Sequence, residues 1–531
     1  NHRRAANHRR PANPQRAAEA KQATDRKRQK RNDMTFHIPH PLRRTLLAAA
    51  ALLLLQPGAD AHSGKARFHM VIDTDGAADD LRTLCMLLGN REAEVLAVTA
   101  SEGALTPAQA AAQTAALLRA FHHEGIPVGE GRAVGAPAPV WRDRSARIVW
   151  GDSTALPGRF PAACGLLAET FDNEDERIVF VALGPLTNLA DLLRARPDLA
   201  GRIERVVWYG SLPDSPGEAN LQTDPAAARS VLASGVPVTV VTSDPACTVT
   251  VTAALLDTVA AVPNRYARKI VATHRTAPLT APLAEGHLKV WDELAALCLF
   301  APELFTVRQI TPTVERCTLT DSAAAMQVPS AIAAVLRGKP DAESRVFYGF
   351  PTDPGLYAAE VAPIIDEAIA RHGPVEWRAG VLTNELHGHL GIYATVGVKM
   401  GIRAREYFNI GVDDIEVTSY AGHKPPVSCM NDGLQVSTGA TLGHGLIRVA
   451  EELPVRPEAR FSFKGKTIRL RLKPEYADRI RRDVQQGVAR YGGLTEPYWQ
   501  YVRELALRYW RDFDRYEIFD LTVEEPSAPA A

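Results

Sequence analysis

Apolar positions fall into two regimes along the 531-residue chain. From 66 to 373, short runs of β-branched and aliphatic residues (95–99, 178–183, 205–209, 236–241) alternate with stretches of helical spacing (81–88, 107–121, 189–196, 225–234). A strand that is apolar at every position is covered on both faces, and strand–helix alternation supplies the cover. The pattern predicts an α/β domain, an open and mostly parallel sheet with helices on both faces. From 374 to 531 the rhythm changes. A helical stretch runs from 384 through Gly397 to Phe408, strand-like residues follow at 415–418, and 461–472 alternates about Lys464-Gly465-Lys466 as a hairpin does. An aromatic-rich amphipathic helix is expected over 498–513. This second half predicts an α+β domain.

Composition adds an address. At 46% hydrophobic and 23% charged the chain is ordinary globular material, which excludes disorder as its class. The net charge of zero hides an uneven start: residues 1–33 carry eleven Lys/Arg and three Asp/Glu in a repetitive setting, read as a disordered basic extension or a mis-assigned start. Residues 34–61 then give a basic pair (Arg43-Arg44), a short apolar run and Ala59-Asp60-Ala61. That is the pattern of a cleaved secretory signal peptide, leaving no stable membrane span. Beyond residue 61 remain 48 basic and 57 acidic residues, which argues against a nucleic-acid partner. Export, periplasmic or secreted, is expected. The six cysteines show no metal-ligand spacing, and Cys85 and Cys298 lie in apolar helical runs as buried thiols would.

The candidate chemistry begins at Val71-Ile72-Asp73-Thr74-Asp75-Gly76-Ala77-Ala78-Asp79-Asp80, where a strand runs into four carboxylates within eight positions. Like charges so close raise one another's pKa. A hard divalent cation with oxygen ligands relieves the repulsion, and the carboxyl end of a strand is where open α/β sheets bind ligands. Helix capping accounts for one or two of these acids, not for four. Farther on, Asp224-Pro225 reads as an N-cap with proline in the first turn. Glu218 and Asn220 are not needed for that cap. Asp292 heads an apolar helix, and by residue preference alone reads as a cap before it reads as a ligand.

Four blocks in order resemble the inosine-uridine preferring nucleoside hydrolases: Asp73 to Asp80; Leu183-Gly184-Pro185-Leu186-Thr187-Asn188; Glu218-Ala219-Asn220 with Asp224-Pro225; and Trp291-Asp292-Glu293-Leu294-Ala295 with Pro302-Glu303-Leu304-Phe305. The resemblance implies a calcium ion held by Asp75, Asp80, Asp292 and the Leu183 carbonyl. It also implies Asp75 as the base that activates water, and Asp79, Glu218 and Asn220 as ligands of ribose hydroxyls. Asp73 is expected to orient the turn from behind. The chain departs from the family pattern at Gly76, at Ser101-Glu102-Gly103, where a ribose-binding Asn is missing, and at Trp291, which replaces a His and could stack on a base. The implied protein is an exported, calcium-dependent N-ribosyl hydrolase acting on a small ribosyl substrate, with homo-oligomerisation left open. The alternative is a secreted ribosyl-binding protein with lost or altered hydrolysis. A haloacid-dehalogenase-type phosphatase, which also opens on Asp-x-Asp-Gly, lacks its late acidic pair here, since Asp413-Asp414 falls in the second half.

Gly388-His389-Leu390, Cys429 with Asp432-Gly433, and Thr438-Gly439-Ala440-Thr441-Leu442-Gly443 resemble the E-type subunits of formylmethanofuran dehydrogenase. Gly391 stands where that family has a Cys, and its C-terminal zinc ribbon has no counterpart. His389 and Cys429, with His387, His423 or His444, are candidates for zinc or another transition metal, which imidazole and thiolate suit.

Overall fold

The structure is a computed structural model that describes residues 66–152, 159–214, 218–338, 347, 349–412 and 414–524. The basic extension, the expected signal peptide, Pro216-Gly217 and Asp413 lie outside the described residues.

Eight strands form the first sheet in the order β3-β2-β1-β4-β5-β6-β8-β7: β1 (Phe68–Thr74), β2 (Ala93–Ala100), β3 (Val128–Glu130), β4 (Ile178–Ala182), β5 (Ile203–Tyr209), β6 (Val238–Val241), β7 (Phe305–Thr311) and β8 (Val314–Leu319). All neighbours are parallel except β7, which closes one edge as an antiparallel hairpin with β8. This is the predicted α/β sheet; the β7–β8 hairpin was not legible, because an edge strand is buried on few positions. Apolar clusters occupy both faces. One packs the Ala78–Gly89, Pro107–Ala120, Glu293–Phe300 and Ser322–Arg337 helices, and the other packs the Ala163–Asp172, Thr187–Ala195 and Pro225–Leu232 helices. From β1 the chain winds outward to β2 and β3, then returns to β4 on the other flank. The carboxyl ends of β1 and β4 therefore border the crevice where winding reverses.

A second sheet, β10-β9-β11-β12-β13, is mixed. Its strands are β9 (Glu416–Ser419), β10 (Ile447–Val449), β11 (Glu458–Phe463), β12 (Lys466–Leu472) and β13 (Phe519–Glu524), packed on the Ile392–Phe408 and Glu496–Asp512 helices. The predicted β11–β12 hairpin turns on Lys464 and Gly465, both at positive φ. The single helical stretch expected from 384 is instead two helices, Pro374–His387 and Ile392–Phe408. Gly388 takes the left-handed conformation that ends the first. The Ile365–His372 helix, assigned from sequence to the first domain, packs with Trp377, Leu507 and Trp510 of the second half.

The second half docks against the amino ends of the first sheet's strands, the rim opposite the crevice. The Lys464 ammonium enters a pocket of His69, Glu94 and Glu174, ion-paired to both carboxylates. Burial alone would raise Glu174, but hydrogen bonds from His69 and Lys464 outweigh it and hold the carboxyl down at about 2. Nearby, Glu406 accepts from Arg265, from Arg515 at 2.9 Å and from the Tyr516 hydroxyl at 2.9 Å. Arg515 also binds Glu376, which in turn pairs with the fully buried Lys399. Glu406→Gln leaves a buried guanidinium short of charge and is expected to destabilise the chain by about 3–5 kcal/mol, read from urea unfolding. Because Glu174 and Glu406 are depressed, their contribution is present above the ordinary carboxyl pKa. It is lost only as pH falls through their folded values, in strong acid.

Candidate active site

The Ile72–Asp73 end of β1 is fully buried, and the turn after it delivers each acid to a different partner. Asp73 points back into the sheet and accepts from Thr99 Oγ1 at 2.5 Å and Asn188 Nδ2 at 2.7 Å. Burial pushes its carboxyl up to about 7 despite these bonds. The Asp75 amide and the Thr74 hydroxyl both donate to Asp80 Oδ1, at 2.9 and 2.7 Å. The turn thereby fixes Asp80, the second acid of the following helix. The Asp75 side chain accepts from the Ala77 amide at 3.2 Å.

Two glycines make room for Asp75. A Cβ on Gly103 would lie 2.0 Å from Asp75 Oδ2, and one on Gly184 would lie 2.4 Å from Ser101 Oγ and 3.3 Å from Asp75 Cβ. Gly103, read from sequence as the trace of a missing sugar ligand, is thus where the carboxylate needs an absent side chain. Glu102 beside it is buried and accepts from the Val134 and Gly135 amides at 2.6 and 3.0 Å, so it ties down the neighbouring loop.

Asp292 reaches the same place from the far side. It occupies the cap position of the Glu293–Phe300 helix yet accepts no capping hydrogen bond. Its carboxylate instead converges with those of Asp79 and Asp80, one oxygen from each lying within 4.8 Å of the other two. Burial raises the Asp80 and Asp292 carboxyls far above their ordinary value, and the charges of the surrounding acids raise them further. Asp75 is also raised, to about 6, by burial and by Asp79. Buried oxygen donors that repel one another, with room for one ion among them, suit a hard cation. Asp224, by contrast, is the expected cap: it accepts from the Ala227 amide at 2.9 Å and from Thr187 Oγ1 at 2.8 Å.

The proposed sugar side divides. Asn220 is buried, and its amide donates to the Leu183 carbonyl at 2.6 Å and the Tyr209 carbonyl at 3.0 Å, leaving Oδ1 to accept. Glu218 is half-buried, makes no capping bond, and is raised by burial. Trp291 is 40% exposed, so its ring is not core packing. Leu183, Asp79, Asp80, Asn220 and Asp292 therefore meet around one crevice, with Asp75 in electrostatic reach of the acids.

Sequence reasoning missed the scaffold beneath. Arg82 is buried and donates to Glu293, to the Lys289 carbonyl at 2.8 Å and to His274 Nε2 at 3.1 Å. Since His274 Nε2 accepts, its Nδ1–H donates to the Ile270 carbonyl at 2.8 Å; burial and the Arg82 charge hold the ring neutral, with its pKa lowered to about 3. Arg82 and Glu293 join the two helices that carry Asp79, Asp80 and Asp292. The available signal was a lone Arg within the apolar run 81–88 and a second acid following Asp292.

Residues 70–343, more than half of the chain, match the family profile described as inosine-uridine preferring nucleoside hydrolase. The chain belongs to that family. Among its relatives, a pyrimidine-specific ribonucleoside hydrolase RihA of Klebsiella pneumoniae is 34% identical over 184 residues, 32% of this chain and 58% of that protein. One from Shewanella is 31% identical over 214 residues, 38% of this chain and 66% of that protein. The chain thus spans about three-fifths of the length of the curated relatives it matches. Among solved structures, a purine-preferring ribonucleoside hydrolase from Gardnerella vaginalis aligns at 19% identity and TM-score 0.40, over 51% of this chain and 99% of that one. An inosine-uridine preferring nucleoside hydrolase from Bacillus anthracis aligns at 20% and 0.41, over 51% and 99%. Residues 386–509 match a second profile, described as FmdE, molybdenum formylmethanofuran dehydrogenase operon.

In that second region His387 Nδ1 lies 2.7 Å from Asp432 Oδ2, and the His387 and His389 rings are 4.3 Å apart. His387 Nε2 is buried with no hydrogen-bond partner among the described residues. A Cβ on Gly391 would come within 3.0 Å of it. Cys429 is half-buried, its thiol raised by burial and by Asp432. His423 and His444 lie in a bend and a turn before and after the Met430–Thr438 helix.

Proposed function

We propose that this chain hydrolyses the N-glycosidic bond of a nucleoside or related ribosyl compound, with calcium held among its buried carboxylates. The observation that carries the reading is Asp292, which forgoes the capping bond its position offers and turns to Asp79 and Asp80. Asp80, Asp292, Asp75 and the Leu183 carbonyl would hold the ion, and the contact of Asp79 with Asp80 and Asp292 adds it to the candidate ligands. A bound cation supplies positive charge that keeps the acids ionised and lowers the pKa of water at the site.

The chain's own residues supply the rest. Asp75, wedged between Gly103 and Gly184, accepts the proton of the attacking water. Cleavage of the glycosidic bond develops oxocarbenium charge on the sugar, which the surrounding carboxylates stabilise. Asn220 Oδ1, its amide already committed, accepts from a sugar hydroxyl, and Glu218 does the same. Trp291 offers an exposed ring face on which the leaving base stacks. Export, by way of a signal peptide at 34–61, and a second metal in the C-terminal half belong to the same proposal. There, Asp432 orients His387, whose Nε2 has no hydrogen-bond partner among the described residues. His387, His389 and Cys429 would offer imidazole and thiolate donors to a zinc-class ion, although their ligand atoms do not converge as those of the acidic trio do.

The test is a screen of the purified chain against purine and pyrimidine nucleosides, with calcium and with chelator, alongside elemental analysis. Calcium-dependent release of base and ribose is expected. Calcium-dependent binding of ribosides without any turnover would replace this reading with that of a ribosyl-binding protein.

A further inference from the structure

Beyond this reaction, and independently of it, we infer that Cys298 and Cys317 form a disulfide that fastens the Asp292-bearing helix to the sheet. The two Sγ atoms lie 3.0 Å apart, in contact across elements separated by nineteen positions of sequence. Cys317 sits on β8, buried, in register with Val241 of β6. Cys298 lies on the Glu293–Phe300 helix and is partly exposed. That partial exposure corrects the expectation of a buried thiol at Cys298, while Cys85 is buried as expected. Helix and strand pack into one apolar cluster that holds the two sulfurs in contact, and closing the bond brings them from 3.0 Å to about 2.05 Å.

The chemistry is thiol–disulfide exchange with a small external disulfide. The reachable Cys298, as thiolate, attacks one sulfur of the external disulfide and releases one external thiolate. Cys317 then gives up its proton and attacks Cys298 Sγ, releasing the second. Two protein thiols are oxidised to one disulfide, one external disulfide is reduced to two thiols, and the two protons pass to the departing thiolates. The bond ties the last turn of the helix to β8. The helix's first residue follows Asp292, so the cross-link restrains the acid on which the cation cluster depends.

The full chain, reduced and then held with glutathione disulfide, is expected to drop from six titratable thiols to four after denaturation. Peptide mapping should find the bond joining Cys298 to Cys317. The Cys298→Ser variant should keep all five of its thiols. Amides of 293–300 in the oxidised protein should exchange with deuterium at least roughly tenfold more slowly than in the reduced protein. Six titratable thiols after oxidation, or a bond that maps to another pair, overturns the assignment. A cross-link that leaves exchange in 293–300 unchanged overturns the anchoring role.

Discussion

Asp75→Ala is expected to lower kcat on any substrate the screen identifies by about two to four orders of magnitude, the usual worth of a positioned general base. The structure separates this loss from a collapse of the site. Asp80 is held by the Asp75 amide and the Thr74 hydroxyl, neither of which the substitution removes. Asp79, Asp80 and Asp292 keep their mutual geometry, so calcium binding measured by calorimetry should weaken less than kcat falls. Gly103→Ala gives an independent arm. Its methyl group would press first on Asp75, whose Oδ2, Cβ and Cγ are the three atoms nearest to it, so it too should lower kcat more than it lowers calcium affinity. Turnover unchanged in Asp75→Ala would remove Asp75 from the role of base.

Cation removal is the second large effect. The acids near the turn are raised in the folded chain, Asp73 to about 7 and Asp75 to about 6, with burial the first cause. A carboxyl whose folded pKa lies above its unfolded value contributes stability that is full below the unfolded pKa and is lost as pH rises through the folded one. In chelator, Tm should therefore decline as pH climbs from about 4 to 8, by this contribution. A cation that binds the ionised carboxylates reverses the trend. At a hundred times its Kd it adds about 2.7 kcal/mol, so calcium should raise Tm by several degrees at pH 8 and by much less at pH 5. Asp292→Asn should abolish most of that increment. An equal increment at both pH values, or one that survives Asp292→Asn, would place the cation elsewhere. The other metal-like trio, His69 with Glu94 and Glu174, is filled by Lys464 and should not respond.

No described helix is long and apolar enough to cross a membrane. The site and the second half occupy opposite rims of the first sheet. Any influence of the FmdE-like region on the crevice therefore has to cross the first half, through the sheet or through helices that touch both. Such helices are Ala78–Gly89, whose far end meets Asn409 at the Leu88 carbonyl, and Arg265–His274, which binds Glu406 through Arg265 and Arg82 through His274.

The sequence by itself determined the alternation of apolar strands and helices, and with it the parallel sheet, because full burial leaves a continuous apolar run. It also placed Asp73 to Asp80 at a strand end, because no other local role absorbs four acids. The hairpin at Lys464-Gly465 was legible for the same kind of reason, since its turn chemistry is local. What only the tertiary structure decided were relations between residues far apart in the chain. Asp292 carried a cap's signature, and only its approach to Asp79 and Asp80 distinguished ligand from cap. Gly103 looked like a deletion of function until Asp75 was found in the space it leaves. Arg82 and Glu293, some two hundred positions apart, show nothing in sequence of the buried pair that holds the two acidic helix ends together. Local pattern records burial and turn conformation, one residue at a time. A site made of crowded like charges is a property of distances, and those exist only once the sheet has brought its strand ends to one rim.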